Sequence, residues 1–306
     1  MSKDPLISIV TPSLNRAGMI ETAIESVLAQ DYPHFEHIIV DGGSTDGTLD
    51  VLVKYPHLKV FSGQDSGMYD AINKGLDLCT GEVIGFLNSD DCYAEHAFAK
   101  IASVFKEGVL AVAGGAVIYS ERDNGEKQVV MSFSPKGKDV LELATTGSPF
   151  FNAWFFKRSV FDRIGKFNVQ YQIAGDREFM LRFALSELKH IFIDQPVYHY
   201  RYHFGSLTFD INDRKFEGIV REHIIITEKY LQQRGLSPKA HELLTRLRTL
   251  DTTEMAFRCV KSKKLAKSWY YLVAGISYDW TWPLHLGYCM LNYVLTKFGK
   301  STATDF

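Results

Sequence analysis

The residues best placed to do chemistry are Asn88-Ser89-Asp90-Asp91, which follow directly on the apolar run Glu82–Leu87. Two adjacent carboxylates at a strand end repel each other unless something positive sits there. A hard divalent cation, Mg²⁺ or Mn²⁺, would relieve this, because it takes oxygen ligands and substrate phosphates. A solvated turn capping the next helix is the plainer alternative. Asp41 closes a second apolar stretch and opens Gly42-Gly43-Ser44-Thr45-Asp46-Gly47. A carboxylate there can accept from a base N–H or a ribose hydroxyl, or simply close an Asx turn. The two glycines let backbone approach a ligand closely. Neither a G-x-x-x-x-G-K-[ST] loop nor a G-x-G-x-x-G after the first strand is present, which disfavours P-loop NTPases and dinucleotide dehydrogenases. Farther on, Gly175-Asp176-Arg177-Glu178 opens a helical stretch, where Asp176 can serve as a helix cap or as a catalytic carboxylate.

These residues need elements to hold them. Short apolar strands are predicted at 6–11, 35–41, 58–61 and 82–87, alternating with helical spacing at 17–30, 68–79 and 95–106. Ser44 or Thr45 is expected to cap the helix after the glycine turn. Near-continuously apolar strands alternating with helices imply a parallel sheet covered on both faces. Ligands of such sheets sit beyond the carboxyl ends of the strands. Those ends carry Thr11-Pro12-Ser13-Leu14-Asn15, Asp41–Ser44, Gln64-Asp65-Ser66-Gly67 and Asn88–Asp91, four polar clusters on one edge. Beyond residue 109 come strand candidates at 109–119 and 150–157, a hairpin turn at Arg122–Gly125, a helix at 176–188, and short strands at 190–193 and 197–203. Helices are predicted at 212–233, 238–260, about 262–278 and 284–298.

Thirty-four basic residues against 36 acidic ones give a net charge of −2, without the basic excess of a nucleic-acid binder. No basic segment followed by an apolar run opens the chain, so no signal peptide is expected. The four cysteines are scattered, as reduced thiols of a cytosolic protein would be. From Met255 to Thr304 the only acidic residue is Asp279, while Arg258, six lysines and aromatic residues that include Trp269, Tyr270, Tyr271, Trp280 and Trp282 lie among apolar ones. That pattern suits helices lying on an anionic membrane surface. A helical cap on the rest of the protein or a homodimer interface is the competing reading. Asp279, Pro283, His285 and Asn292 argue against a spanning helix.

Four stretches, Ile7–Arg16, Ile38–Thr48, Asp65–Gly75 and Leu87–Asp91, resemble family 2 glycosyltransferases, in order and with family-like spacing. The resemblance covers about residues 5–208 and is closest to enzymes that build bacterial surface polysaccharides. It implies a GT-A fold, a mostly parallel α/β sheet with helices on both faces, followed by a C-terminal helical region. A catalytic domain 1–208 is expected, with a nucleotide half 1–108 and an acceptor half 109–208, then helices over 209–306. Thr11, Pro12, Ser13 and Asn15 would line the nucleotide pocket. Asp41 would contact the base, probable donors being UDP-sugars, with Asp65 and Lys74 near base and ribose. Asn88-Ser89-Asp90 occupies the family's Asp-x-Asp position, with Asn88 in place of the first acid. Asp90 would hold Mn²⁺ or Mg²⁺, with Asp91 in support, and Asp176 would be the base. His203 is a candidate metal ligand, His199 the competing choice, and Arg201 could serve the diphosphate. Phe151 and Asn152 stand where many relatives carry His-Gln. Phe150, Phe151, Trp154, Phe155 and Phe156 can pack as core by alternation, or Trp154 could stack on an acceptor sugar. The implied reaction is inverting transfer from a nucleotide-sugar to a saccharide or lipid-linked acceptor, in the cytoplasm or at the inner face of the cell membrane.

Overall fold

The computed structural model describes residues 4–122, 125–203, 213–276 and Gly287. The chain divides into two compact units, one of residues 1–138 and 150–210, the other of 139–149 and 211–306.

In the first unit the chain alternates β1 (Ile7–Ser13), α1 (Ile20–Leu28), β2 (Phe35–Asp41), α2 (Thr48–Leu52), β3 (Leu58–Ser62), α3 (Met68–Leu78) and β4 (Val83–Phe86). A two-residue β5 (Cys92–Tyr93) and α4 (Ala97–Val104) follow, then the hairpin of β6 (Ala111–Glu121) and β7 (Lys127–Phe133). The hairpin turn runs through Arg122 and Gly125; Asp123 and Asn124 lie outside the described residues. After α5 (Val140–Ala144), which belongs to the second unit, come β8 (Trp154–Lys157), α6 (Arg158–Ile164), α7 (Gly175–Leu185) and β9 (His190–Arg201).

Among the described residues the sheet runs β3-β2-β1-β4-β8-β6-β9-β5, with β7 on β6. β1 to β4 pair in parallel, as do β6 and β9; β8, β5 and β7 pair antiparallel. This is a mixed, mostly parallel α/β sheet, as the resemblance implies. The expected stripe of α1 is observed: Ile20, Ala23, Ile24 and Val27 are all buried. Each such side chain contributes about 2 kcal/mol of transfer free energy. Short differences have local causes. Within the predicted strand 150–157, Phe151–Ala153 form a 3-10 turn before β8. The two short strands at 190–203 are one continuous β9, because β6 pairs along it across a bulge.

The second unit also contains α8 (Asp213–Leu231), α9 (Pro238–Lys261) and α10 (Leu265–Ile276). Ser237 caps α9 by accepting from Ala240 N–H at 3.2 Å, with Pro238 at the first helical position, where its missing N–H costs nothing. Val220, Ile224, Met255, Ala256, Cys259 and Tyr271 form the core of these helices. The predicted helix 284–298 lies outside the described residues apart from Gly287, as does Cys289; Cys79, Cys92 and Cys259 are buried free thiols.

Candidate active site

Parallel pairing puts the ends of the first three strands level: Ser13 lies opposite Asp41, and Asp41 opposite Ser62. Asp41 is fully buried, at 0% exposure. Its Oδ2 accepts from Gly43 N–H at 3.1 Å, Ser44 N–H at 3.0 Å and Ser62 Oγ at 2.8 Å, while Ser44 Oγ donates to Oδ1. Burial alone would raise this carboxyl, but the Ser44, Ser62 and Gly43 donors overcome it and hold it below its ordinary value. Both oxygens take part in the turn, and Oδ1, which has a single described donor, keeps room for another.

The carboxylate that stands at this turn is Asp65. A Cβ on Gly42 would meet Asp65 Oδ2 at 2.6 Å, so the space a side chain would take at 42 holds the Asp65 carboxylate. Asp65 Oδ1 accepts from Gly67 N–H at 2.9 Å. Lys74 braces the same loop, donating to the Gln64 carbonyl at 2.9 Å and pairing with Asp70 at 3.0 Å. Asn15, at φ +53°, ties the end of β1 to the turn: its N–H donates to Ser44 Oγ at 2.8 Å and its Oδ1 accepts from Thr45 N–H at 2.9 Å. Ser44 and Thr45 are thus spent on the loop, and neither caps α2, whose N-cap is Gly47. Thr11 is buried and bonded to His37 Nε2 at 2.9 Å, so its hydroxyl does not line a pocket as expected. Pro12 is half-buried, and Ser13 Oγ is buried with no partner among the described residues.

Next to this edge, the Asn88–Asp91 turn is organised from below. Buried Asp91 accepts from Asn88 Nδ2 at 2.9 Å, Tyr198 OH at 2.9 Å and Arg201 N–H at 2.8 Å. Burial, reinforced by the neighbouring Asp90, still raises the Asp91 carboxyl well above the usual carboxylate range. Tyr198 OH also accepts from Asn88 N–H at 3.0 Å and from Asn152 Nδ2 at 3.2 Å. Asn88 thus holds Asp91 through its amide N–H. Ser89 is buried. Asp90 is left at the surface of this network, with His203 Nε2 3.1 Å from its Oδ2. Among the described residues no group of three His, Cys, Asp or Glu side chains could enclose a metal ion. A carboxylate and an imidazole side by side do fit a Mg²⁺ or Mn²⁺ ion that completes its shell with phosphate oxygens and water.

Asp176 occupies the first turn of α7. Its Oδ1 accepts from Arg177 N–H at 2.8 Å and from Tyr69 OH at 3.1 Å. Tyr69 OH also donates to the Ile173 carbonyl at 2.8 Å, and its ring stacks on Phe167 with centroids 5.6 Å apart. A Cβ on Gly175 would meet that ring at 2.7 Å. The absence of an acid before Asp176 is thus a packing requirement. The buried Tyr200 phenol is pushed well up, by burial first and then by the Asp91 charge.

Trp154 and Arg201 are both engaged within the protein. Trp154 is 1% exposed and stacks on Phe156 at 5.8 Å, edge-on to Phe183 and Phe192. It is core, and no acceptor can reach it. The Arg201 guanidinium pairs with Glu121, and its backbone N–H, not its side chain, serves the acidic turn. His199 lies edge-on to the Tyr119 ring, centroids 6.3 Å apart, and burial and then Lys127 lower its pKa. The sequence reading missed Tyr69, Tyr198 and Ser62. Tyr69 sits inside the recognised Asp65–Gly75 stretch, whereas nothing local marks Tyr198 or Ser62.

The fold and this edge define a nucleotide-sugar transferase architecture. The sequence profile described as Glycosyl transferase family 2 matches residues 8–165, and the chain belongs to that family; it is a glycosyltransferase. It is 32% identical over 222 residues to a PGL/p-HBAD biosynthesis glycosyltransferase of Mycobacterium bovis, covering 69% of this chain and 82% of the relative. It is 42% identical over 101 residues to the putative teichuronic acid biosynthesis glycosyltransferase TuaG of Bacillus subtilis, covering 31% and 40%. Among solved structures it resembles S. aureus TarS 1–349 in complex with UDP-GlcNAc, with a TM-score of 0.62, 16% identity and coverage of 95% and 92%. The mannosyltransferase PcManGT of Pyrobaculum calidifontis, in complex with GDP-Man and Mn²⁺, gives a TM-score of 0.59, 16% identity and coverage of 98% and 89%.

Proposed function

We propose that the chain transfers a sugar with inversion from a nucleotide-sugar, of which UDP-sugars are the first choice, to a saccharide or lipid-linked acceptor in the assembly of a bacterial surface polymer. What supports this reading is membership of the glycosyltransferase family together with the Asp176 carboxylate, held in the first turn of α7 by Tyr69 OH and the Arg177 N–H, in the same unit as the Asp90–Asp91 turn. Residues 1–208 are taken as the catalytic domain. Asp65, Ser13 and Asn15 face the nucleoside, with Asp41 and Lys74 fixing their loops. Bound between Asp90, His203 and the diphosphate, a divalent ion would offset charge on the leaving group.

Asp176 accepts the proton of the acceptor hydroxyl as its oxygen attacks the anomeric carbon. The bond from that carbon to the diphosphate oxygen breaks, and the electron pair leaves with the nucleoside diphosphate. A single base and direct displacement invert the anomeric centre. Tyr69 and the Arg177 N–H keep the carboxylate oriented, which matters because small misplacements of a catalytic group are costly. Asp176→Asn should abolish transfer while leaving UDP binding by calorimetry intact. Full transfer activity in that variant would remove Asp176 from the mechanism.

A further inference from the structure

The second unit carries a site that the transfer chemistry does not use. Where α9 ends and α10 begins, a cavity of about 290 Å³ is lined by four basic side chains, Arg214, Arg258, Lys264 and Lys267, against one carboxylate, Glu217. Glu217 is saturated by its own partners: Lys267 at 2.6 Å, Arg221 at 2.7 Å and Tyr271 OH at 3.2 Å. Arg258 pairs with Glu254 at 2.7 Å and lies 4.2 Å above the Phe216 ring, which fixes its guanidinium at the rim. No ion pair to a described carboxylate is formed by Lys264. With Lys267 on Glu217 and Arg258 on Glu254, Lys264 is the lining cation left to meet an anion, and the clustered cations suit one with several oxygens, a phosphate.

The adjoining surface is apolar where a solvated helix should be polar. On α10, Leu265, Trp269 and Val273 are 69%, 67% and 47% exposed. Their spacing of four residues makes them one ridge, with exposed Tyr270 beside it. The opposite face of α10, with Ser268 and Tyr271, is buried against α9. Lys261, Lys263 and Lys264 are exposed at the corner. Among the described residues no helix is long and apolar enough to cross a membrane.

We propose that this corner seats the chain on an anionic phospholipid surface. A lipid phosphate enters the basic cavity, and the Leu265–Trp269–Val273 ridge lies at the boundary of headgroups and acyl chains. Charge selects this occupant. A second copy docking through the same patch would bring two sets of lysines face to face, since a two-fold interface pairs a surface with itself. An anionic bilayer answers both the cations and the apolar ridge. The inference does not depend on the proposed donor site or base.

The test is vesicle flotation of the full chain, with phosphatidylcholine alone and with phosphatidylglycerol added. Flotation is expected only with the anionic vesicles, weakening as salt rises. Trp269→Glu, and separately Lys263→Glu with Lys264→Glu, should each lower vesicle affinity about tenfold or more. Absence of flotation, or flotation indifferent to these substitutions, overturns the proposal. So does inorganic phosphate that stabilises the protein through Lys264 when vesicles do not bind, which would make this a free-phosphate site. Trp269→Glu should leave the melting temperature and the mass in solution unchanged. A fall in melting temperature would mean that the chain itself covers the ridge, and conversion of a dimer to a monomer would mean that a second copy does.

Discussion

Replacing Gly175 by alanine puts a methyl group where the Tyr69 ring already is. The added Cβ would lie 2.7, 2.8 and 2.9 Å from three ring carbons, inside van der Waals contact. The ring cannot swing away cheaply. Its hydroxyl is held by Ile173 and Asp176, and its face is stacked on Phe167. Alanine in place of glycine within a helix would ordinarily gain about 0.5–1 kcal/mol. Overpacking costs about 1–3 kcal/mol. The steric term wins, and a net loss of about 1–2 kcal/mol is expected, a fall of a few degrees in melting temperature for a unit of this size. The functional effect should be larger than the structural one, because the strain is relieved by moving the first turn of α7, which carries Asp176. A shift approaching 1 Å costs about a hundredfold in rate. The assay is steady-state transfer beside calorimetry of UDP binding: kcat should fall at least tenfold with Kd unchanged. A Gly175→Ala enzyme with wild-type kcat and melting temperature would refute the claim that the Tyr69–Gly175 contact positions the carboxylate.

The two aspartates of the nucleotide edge should separate by phenotype. Asp65→Ala is expected to weaken UDP binding by about tenfold or more, the loss of a charged hydrogen bond, with little change in melting temperature. Asp41→Ala strands buried donors and should lower stability by about 2–3 kcal/mol, seen in thermal unfolding. Tyr198→Phe removes a donor to Asp91 and the acceptor of Asn88 N–H and Asn152 Nδ2, so a stability loss of about 1–3 kcal/mol is expected, with weaker Mn²⁺ binding in titration. Burial would raise the Glu36 carboxyl, but Lys59, Ser8 and Thr80 outweigh it and hold it at about 2. A depressed folded pKa stabilises above the unfolded value and loses that contribution as pH falls from about 4.5 towards 2. Denaturant unfolding across that window should show a loss of about 2 kcal/mol, absent in Glu36→Gln.

Much of this protein is legible along the chain. Near-continuously apolar runs at 7–10, 38–40 and 83–86 that alternate with helices read as strands covered on both sides, and their polar ends then share an edge. The spacing of Ile20, Ala23, Ile24 and Val27 determines the buried face of α1 by itself. What periodicity cannot do is say which polar side chain at that edge is free. Asp41 and Asp65 are equal as letters, and only the register of β1, β2 and β3 reveals that Asp41 is bonded to Ser44 and Ser62 while Asp65 stands over Gly42. Alternation assigned Trp154 a face; whether that face meets solvent depends on Phe183 and Phe192, brought in by α7 and β9. Tyr69 and Asp176 are 107 residues apart, and no local signal encodes a hydrogen bond between them. Element identity follows from short-range spacing, whereas the burial and partners of a carboxylate are set by chain segments that meet only once the sheet has formed.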